Sequence, residues 1–281
     1  MLKRIKNLLL ENQIDCFGVL PLGDCIIKRQ YLLDRVGIRG GSVVIFAIPY
    51  YTPDCDKPRN LSAYAVGRDY HFFVRLLADK TLSVLQHEFP EYKFALFADH
   101  SPIDELAVAA EAGLGIIGKN GLLITEKYSS FVFLGEIVTD AVLNISKQEI
   151  CYCEGCGACQ KACPYFRGEI EECLSALTQQ KGELDTTCQK AIWRYGSVWG
   201  CDICQNVCPH THKAKTNGSL YSPISFFREN TIGWLTCSQL NSMDEKTFSE
   251  RAYSWRGRNV ILRNLTIWEN KNESEKRNPT P

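Results

Sequence analysis

The sequence predicts an α+β or α/β fold in three parts: an α/β domain over residues 1–146, a cysteine-rich module over 147–215 and a small helical region over 216–281. Three observations predict it. An unbroken β-branched apolar run, Ser42 to Ile48 (SVVIFAI), lies among stretches of helical periodicity, as a strand covered on both faces by helices would. Seven of the nine cysteines from Cys153 to Cys208 fall into two runs, each ended by Cys-Pro. From Ser222 on, Phe226, Phe227, Trp234 and Leu235 read as compact helical packing, and Asn270 to Pro281, polar and balanced in charge, is expected to be disordered.

Met1 to Gln13 reads as an amphipathic helix, with Leu2, Ile5, Leu8 and Leu9 at helical spacing. After the Ser42 strand, Tyr50 to Pro58 carries Pro53, Asp54, Asp56 and Pro58 and reads as a loop holding the lone Cys55. A helix follows, with apolar positions Phe73, Leu76, Leu77, Val84 and Leu85, and Phe89-Pro90 ends it. Arg68, Asp69, Tyr70 and His71 stand at its entrance, where an acid is also explained by the helix dipole. Tyr92 to Ala98 is the next strand. Ser101 fits the N-cap of the following helix and Pro102 its first position, with Asp104 and Glu105 in the first turn. Asp99 lies outside that cap, at the carboxyl end of a strand, where open α/β sheets place their ligands; it is the leading candidate for a catalytic acid.

Gly113 to Gly121 (GLGIIGKNG) formally contains GxGxxG, but it follows a helix and leads to a strand, the reverse of the dinucleotide fingerprint. Its glycines let the backbone come close to a neighbouring element or to a flat ligand. Leu122 to Thr125 and Phe131 to Thr139 read as paired strands that close the first domain near Ser146. Glu171 to Gln180 and Thr187 to Tyr195 look helical, and Trp193, Tyr195 and Trp199 could shield a metal from water. Arg251, Arg256, Arg258 and Arg263, with Trp255 among them, form the most basic stretch, open to a solvated helix face or to phosphate contact.

The cysteine runs are the most specific signal. Cys153, Cys156, Cys159, Cys163 and Pro164 give CxxCxxCxxxCP, the bacterial ferredoxin-like 4Fe–4S run whose fourth cysteine ligates the other cluster. Cys201, Cys204, Cys208 and Pro209 give the shorter CxxCxxxCP. A crossed assignment puts Cys153, Cys156, Cys159 and Cys208 on one cluster, and Cys163, Cys201, Cys204 and either Cys173 or Cys188 on the other. Zinc fits worse, because its sites pair CxxC units at longer separation. A disulfide framework is not needed by a chain of 281 residues with no secretory start.

Hydrophobic residues make up 45% of the chain and aromatics 11%, as a packed globular protein requires. Basic and acidic side chains number 32 each, so no global charge footprint for nucleic acid exists and any such contact is local. The apolar start is too short for a signal-peptide core and no run reaches membrane-spanning length. With 14 cysteines and no export signal, the expectation is a cytoplasmic protein with no membrane partner.

Four stretches resemble the cobalamin-dependent epoxyqueuosine reductases of tRNA queuosine synthesis: YAVGRDYH (64–71), ADHSPIDELAVAAEAGLGIIGKN (98–120), the two cysteine runs including CDICQNVCP (201–209), and RGRNVILRN (256–264). The resemblance is to a short form, without the C-terminal helical repeats that help longer members hold tRNA. It implies a nitroreductase-like domain holding base-off cobalamin against a double-cluster module. A family cysteine follows the first run in a short helical segment, as Cys173 does in EECLSALT, which favours Cys173 over Cys188. The family's proton donor maps to Asp99, with Pro102 and Glu105 also matching. Cobalamin contacts are expected at Arg68, Tyr70, His71, Gly113, Gly115, Gly118, Lys119 and Asn120. Asp69-x-His71 even begins like a corrinoid-binding DxHxxG motif, though Val74 replaces its glycine.

The activity so implied is reduction of epoxyqueuosine in tRNA to queuosine. Electrons from a low-potential donor such as ferredoxin or flavodoxin would pass through two 4Fe–4S clusters to cobalamin, and Asp99 would protonate the departing oxygen. Burial beneath the corrin would keep that acid protonated near neutral pH. The rivals are a corrinoid reductase of a small molecule and a non-catalytic two-cluster electron carrier.

Overall fold

The structure, a computed structural model, describes residues 1–143 and 147–277, so the domain boundary expected at Ser146 lies outside the described residues. The chain opens on α1 (Leu2–Glu11), whose Ile5, Leu8 and Leu9 share one buried face. β1 (Cys16–Pro21), α2 (Gln30–Val36) and β2 (Ser42–Pro49) follow, then the short α3 (Ala63–Val66) and the long α4 (Tyr70–Glu88). Next come β3 (Phe94–Phe97), α5 (Glu105–Glu111), β4 (Ile116–Ile117), β5 (Leu123–Ile124) and β6 (Val132–Thr139). The cysteine-rich stretch holds α6 (Ala158–Ala162), α7 (Leu174–Leu177), α8 (Thr186–Tyr195), α9 (Ile203–Asn206) and α10 (Pro209–Thr216). Last are α11 (Cys237–Ser242), α12 (Glu245–Ser249) and α13 (Arg258–Arg277).

These elements form two compact units that cut the chain differently from the three expected segments. One joins Met1–Tyr50, Tyr70–Cys156 and Lys213–Ile224; the other joins Tyr51–Asp69, Gly157–His212 and Ser225 onward. Residues 51–69 go with the second unit because its backbone claims them. Asn60 exchanges side-chain hydrogen bonds with both backbone groups of Leu235 at 2.8 and 2.9 Å, and the Ser62 hydroxyl donates to Asp202 Oδ1 at 2.7 Å.

In the first unit the sheet runs β1-β2-β6-β3, antiparallel at every pairing. On one face Leu20, Val43, Ile45, Val138 and Ala95 share a core with Leu33 of α2 and Val108, Ala109 and Ala110 of α5. The alternate residues Val19, Val44, Phe46, Ile48 and Ile137 are buried as well. The Ser42 run is therefore continuous because both faces are covered, within an antiparallel sheet.

Several local expectations change. Leu76 is 61% exposed, since the buried line of α4 steps by four through Phe73, Leu77, Thr81 and Leu85. The Leu122 strand does not pair with the Phe131 strand: β5 pairs with β4, and β6 is taken on both edges by β2 and β3. Ser101 does not cap α5. Asp104 does, accepting from the Ala107 amide at 3.2 Å, while Ser101 is buried and engaged elsewhere. The backbone expected to be disordered from Asn270 is helical through Arg277; extending an established helix adds a hydrogen bond per residue fixed, and Pro279 lies just beyond.

The second unit packs Ala191 and Ile192 of α8 against Ile261 and Leu265 of α13, with Trp199 and Tyr253 edge to face at 6.2 Å. Most of the basic stretch serves this fold. Arg251, 1% exposed, donates to the carbonyls of Asn230, Ala65 and Val66 at 2.6, 3.3 and 2.7 Å. Arg258 donates to Leu240 and Met243, Arg263 to Gln180 and Gly182, and Asn264 bridges Thr178 and Val198 at 2.7 and 2.8 Å. Arg256 alone of the four lies over an exposed ring, 3.8 Å from the centroid of Trp255.

Arg251→Met keeps much of the side-chain volume and strands three buried carbonyls, so it should lower the unfolding free energy by about 2–4 kcal/mol. Denaturant unfolding measures this. An unchanged midpoint would remove Arg251 from the framework.

Candidate functional site

The first unit brings Asp99, His71 and Tyr70 together. β3 ends at Phe97, and Asp99 takes a left-handed backbone, φ 64°, which aspartate tolerates better than most residues. Its Oδ2 lies 3.8 Å from Nε2 of His71 in the first turn of α4, and its side chain is 72% exposed. The His71 ring leans on Tyr70 at 4.2 Å, and Tyr70 stacks on Phe133 of β6 at 4.0 Å and 12°. The chain itself therefore gives Asp99 no apolar cover. Arg68 belongs to the second unit, where its Nε is 3.2 Å from Glu250 and its guanidinium lies 4.7 Å from the Phe226 centroid.

Beneath Asp99 is a pair the sequence reading missed. The Asp99 amide donates to Oε1 of Glu105 at 3.2 Å, and Glu105 stands beside Glu136. Glu136 is fully buried on β6, and its Oε1 receives Ser101 Oγ at 2.5 Å. Burial, opposed by the Asp99 amide, pushes the Glu105 carboxyl up to about 7. Burial and then the neighbouring Glu105 raise Glu136 well above the ordinary range. One signal could have found it: Glu136 is the single charged residue in FVFLGEIVT.

The glycine loop is explained largely by its own chain. A Cβ on Gly115 would stand 2.3 Å from the Ile124 carbonyl, and Gly113 adopts φ 81° just after α5. Gly118 abuts Asn120, whose Oδ1 receives the Leu122 amide at 3.3 Å. Gly121 faces open space. The Lys119 amide points at Cys153 Sγ, 3.4 Å away, and Ile117 pairs with the backbone of Cys151 and Cys153, so this loop fixes the start of the first cysteine run.

Cys153 and Cys156 end the first unit; the remaining candidate cysteines lie in the second. There α6, carrying Cys159 and ending at Cys163, packs against α9, which carries Cys204. Pro164 and Pro209 follow Cys163 and Cys208 and turn the chain. Cys173 is the N-cap of α7. Burial, opposed by the Ile203 amide, and then Asp202, Cys204 and Cys173 push the Cys201 thiol up to about 12, so the charges of Cys204 and Cys173 are felt at Cys201. The Cys188 thiol is pushed up to about 11 by burial and then by Asp185, and Glu171 and Glu172, just before Cys173 in the chain, raise it further. Among the described residues no disulfide is formed, and no three His, Cys, Asp or Glu converge tightly enough for a single metal ion. The free thiols of the two Cys-Pro runs are the donor set that an iron–sulfur cluster would take, and its positive iron would offset the cost of buried thiolate.

Fold and site together define a mixed α/β protein with a redox-type, thiol-rich module and an acid at the end of a sheet strand. A family model described as "Epoxyqueuosine reductase QueG, DUF1730" matches residues 38–100. An epoxyqueuosine reductase of Synechocystis is 38% identical over 196 residues, 65% of this chain and 66% of that one. Another from Gloeobacter violaceus is 31% identical over 221 residues, 75% and 69% of the two chains. The chain belongs to the epoxyqueuosine reductase family. It spans 45% to 69% of the length of the first curated relatives it matches. The epoxyqueuosine reductase of Streptococcus thermophilus has the same fold, with TM-score 0.77 and 23% identity over 100% of this chain and 86% of that one. So does an epoxyqueuosine reductase solved with an epoxyqueuosine-modified tRNA-Tyr stem loop, at 0.73 and 21% over 99% and 83%. Among the described residues no helix is long and apolar enough to cross a membrane.

The carboxyl pair sets a pH dependence. Between the ordinary glutamate value of 4.5 and about 7 the folded chain keeps protons that the unfolded chain has released. Stability from this source is complete below that window and is lost as pH rises through it, by on the order of 2–3 kcal/mol. Melting temperatures from about pH 5 to 8 measure the slope, and Glu136→Gln should flatten it. An equal slope in both proteins would assign it to other groups.

Proposed function

We propose that this chain is an oxidoreductase that reduces epoxyqueuosine in tRNA to queuosine, using two 4Fe–4S clusters and cobalamin and drawing electrons from a ferredoxin or flavodoxin. One observation carries the proposal. The two stretches of the family resemblance that bear chemistry, YAVGRDYH and the Asp99 stretch, meet in space, His71 against Asp99. The tRNA partner follows from the relative solved with a modified tRNA stem loop.

In this reading residues 1–146 form the nitroreductase-like domain and 147–215 the ferredoxin-like module. Cys153, Cys156, Cys159 and Cys208 hold one cluster, and Cys163, Cys173, Cys201 and Cys204 the other. The influence of Cys204 and Cys173 on the Cys201 thiol supports the second set. Cobalamin would rest on Tyr70, His71, Lys119, Asn120 and the open face at Gly121, because Gly115 and Gly118 are occupied by their own hairpin. When bound, it supplies the low-potential nucleophilic chemistry that opens the epoxide. Asp99 delivers a proton to the oxygen that leaves, and the bound ligands would supply the cover that the chain does not. His71 is close enough to orient that carboxyl. Reduction of a small molecule is the second reading. It is favoured by the engagement of Arg251, Arg258 and Arg263 on backbone carbonyls, which takes most of the arginines of that basic stretch away from phosphate.

Anaerobic reconstitution should give about eight irons per chain. Cys173→Ser should lose one cluster and Cys188→Ser neither; the reverse result would reassign the fourth ligand. Asp99→Asn should leave iron and cobalamin binding intact and slow turnover of epoxyqueuosine-containing tRNA by roughly 10²-fold or more. Single-turnover rates near normal would take Asp99 out of the mechanism, and reduction of free epoxides but not tRNA would favour the second reading.

A further inference from the structure

The delivery of a proton by Asp99 leaves the buried carboxyl pair without a task. Glu136 stands in register with Ile45 of β2 and Phe97 of β3, facing the apolar layer that holds Val138, Ile45 and α5. Ser101 satisfies one of its oxygens, and Oε2 has no donor among the described residues. Glu105 is its neighbour, and two ionised carboxylates cannot donate to each other. A single proton between them supplies the missing hydrogen bond, and burial favours keeping it. The other groups around the pair do not replace it. Arg29 gives its guanidinium to the Ser101 carbonyl at 2.9 Å, Lys28 is 3.2 Å from Asp104, His100 is bonded to Tyr31 at 2.7 Å, and Cys25 lies farther along the same core.

We propose that Glu105 and Glu136 share one proton and in that state hold the Asp99 loop in place, Glu136 bonding Glu105 and Glu105 accepting the Asp99 amide, which makes Glu136 a positioning residue for the proton donor. The inference rests on the reading of Asp99 given above. Loss of the shared proton sets two carboxylates against each other in a dry core. Glu105, at the edge of α5, is the one that can move toward water, and its departure frees the Asp99 amide and the left-handed backbone that depends on it. The raised Glu105 value, about 7, places this event near neutral pH.

Hydrogen exchange at the Asp99 amide in the full-length protein tests this, with infrared spectra for the protonated carboxyl. After correction for intrinsic base catalysis, exchange in the native sequence should quicken by about tenfold or more as pH rises from about 6 to 9, while a protonated-carboxyl band fades over the same range. Glu136→Gln places a permanent donor beside Glu105, so exchange should stay slow across the range with the band gone. Glu136→Leu removes the donor and should exchange fast throughout. A pH-independent rate in the native sequence, or no such band at about pH 6, overturns the proposal whether or not the variants fold. Neither readout requires turnover. Protein that shows both signatures but never reduces an epoxide would sink the reductase reading alone; active protein with flat exchange would sink this inference alone.

Discussion

The first unit depends on β6 being paired on both edges and buried along most of its length. A strand with no wet face cannot slip by one residue, because every side chain would exchange faces and Glu136 would lose Ser101 and Glu105 together. The same pairing sets where β3 stops. Phe97 lies opposite Glu136, and two residues later the chain has left the sheet and turned, putting Asp99 over the buried pair and beside His71. The position of the candidate acid thus follows from sheet register rather than from its own loop. That loop has only an amide bond to Glu105 and an unusual φ to define it.

The second unit works from a different constraint. α6, α7 and α9 are single turns or little more, too short to persist as isolated helices. What fixes them is attachment: α6 on α9, the Gly200 amide donating to Thr178 Oγ1, and Asn264 bridging the carbonyls of Thr178 and Val198 between the two cysteine runs. Around such short turns, ligation of cysteines by metal would contribute folding free energy as well as redox chemistry. The resemblance motif RGRNVILRN belongs to this scaffold. Arg258, Arg263 and Asn264 read as charge and polarity in the sequence, yet they act as clasps on main-chain carbonyls.

Much of this was legible in the residues. The Ser42 run, the helix before Phe89-Pro90 and the strand before Asp99 declare themselves by local pattern, and Cys-Pro spacing singles out the cysteines without reference to fold. The misreadings share a cause, which is that tertiary partners decide them. Ser101 has every local feature of an N-cap but is drawn to Glu136, leaving the cap to Asp104. β5 finds β4 because the glycine loop folds back, a choice no alternation of residues encodes. Glu136 was overlooked because a lone acid in a strand has no local signature; only the opposing Glu105 and the orphaned oxygen give it meaning.

Asn264 lies in the second turn of α13, and its amide is what joins the helix to the Thr178 and Val198 carbonyls. Farther along, Glu269 accepts the Cys237 amide at 2.7 Å and Trp268 lies edge to face with Trp234 at 5.0 Å, so the described fastenings of this helix run from Asn264 to Glu269. The residues around Asn264 therefore admit little change in spacing, because one amide must reach the carbonyls of Thr178 and Val198 at once.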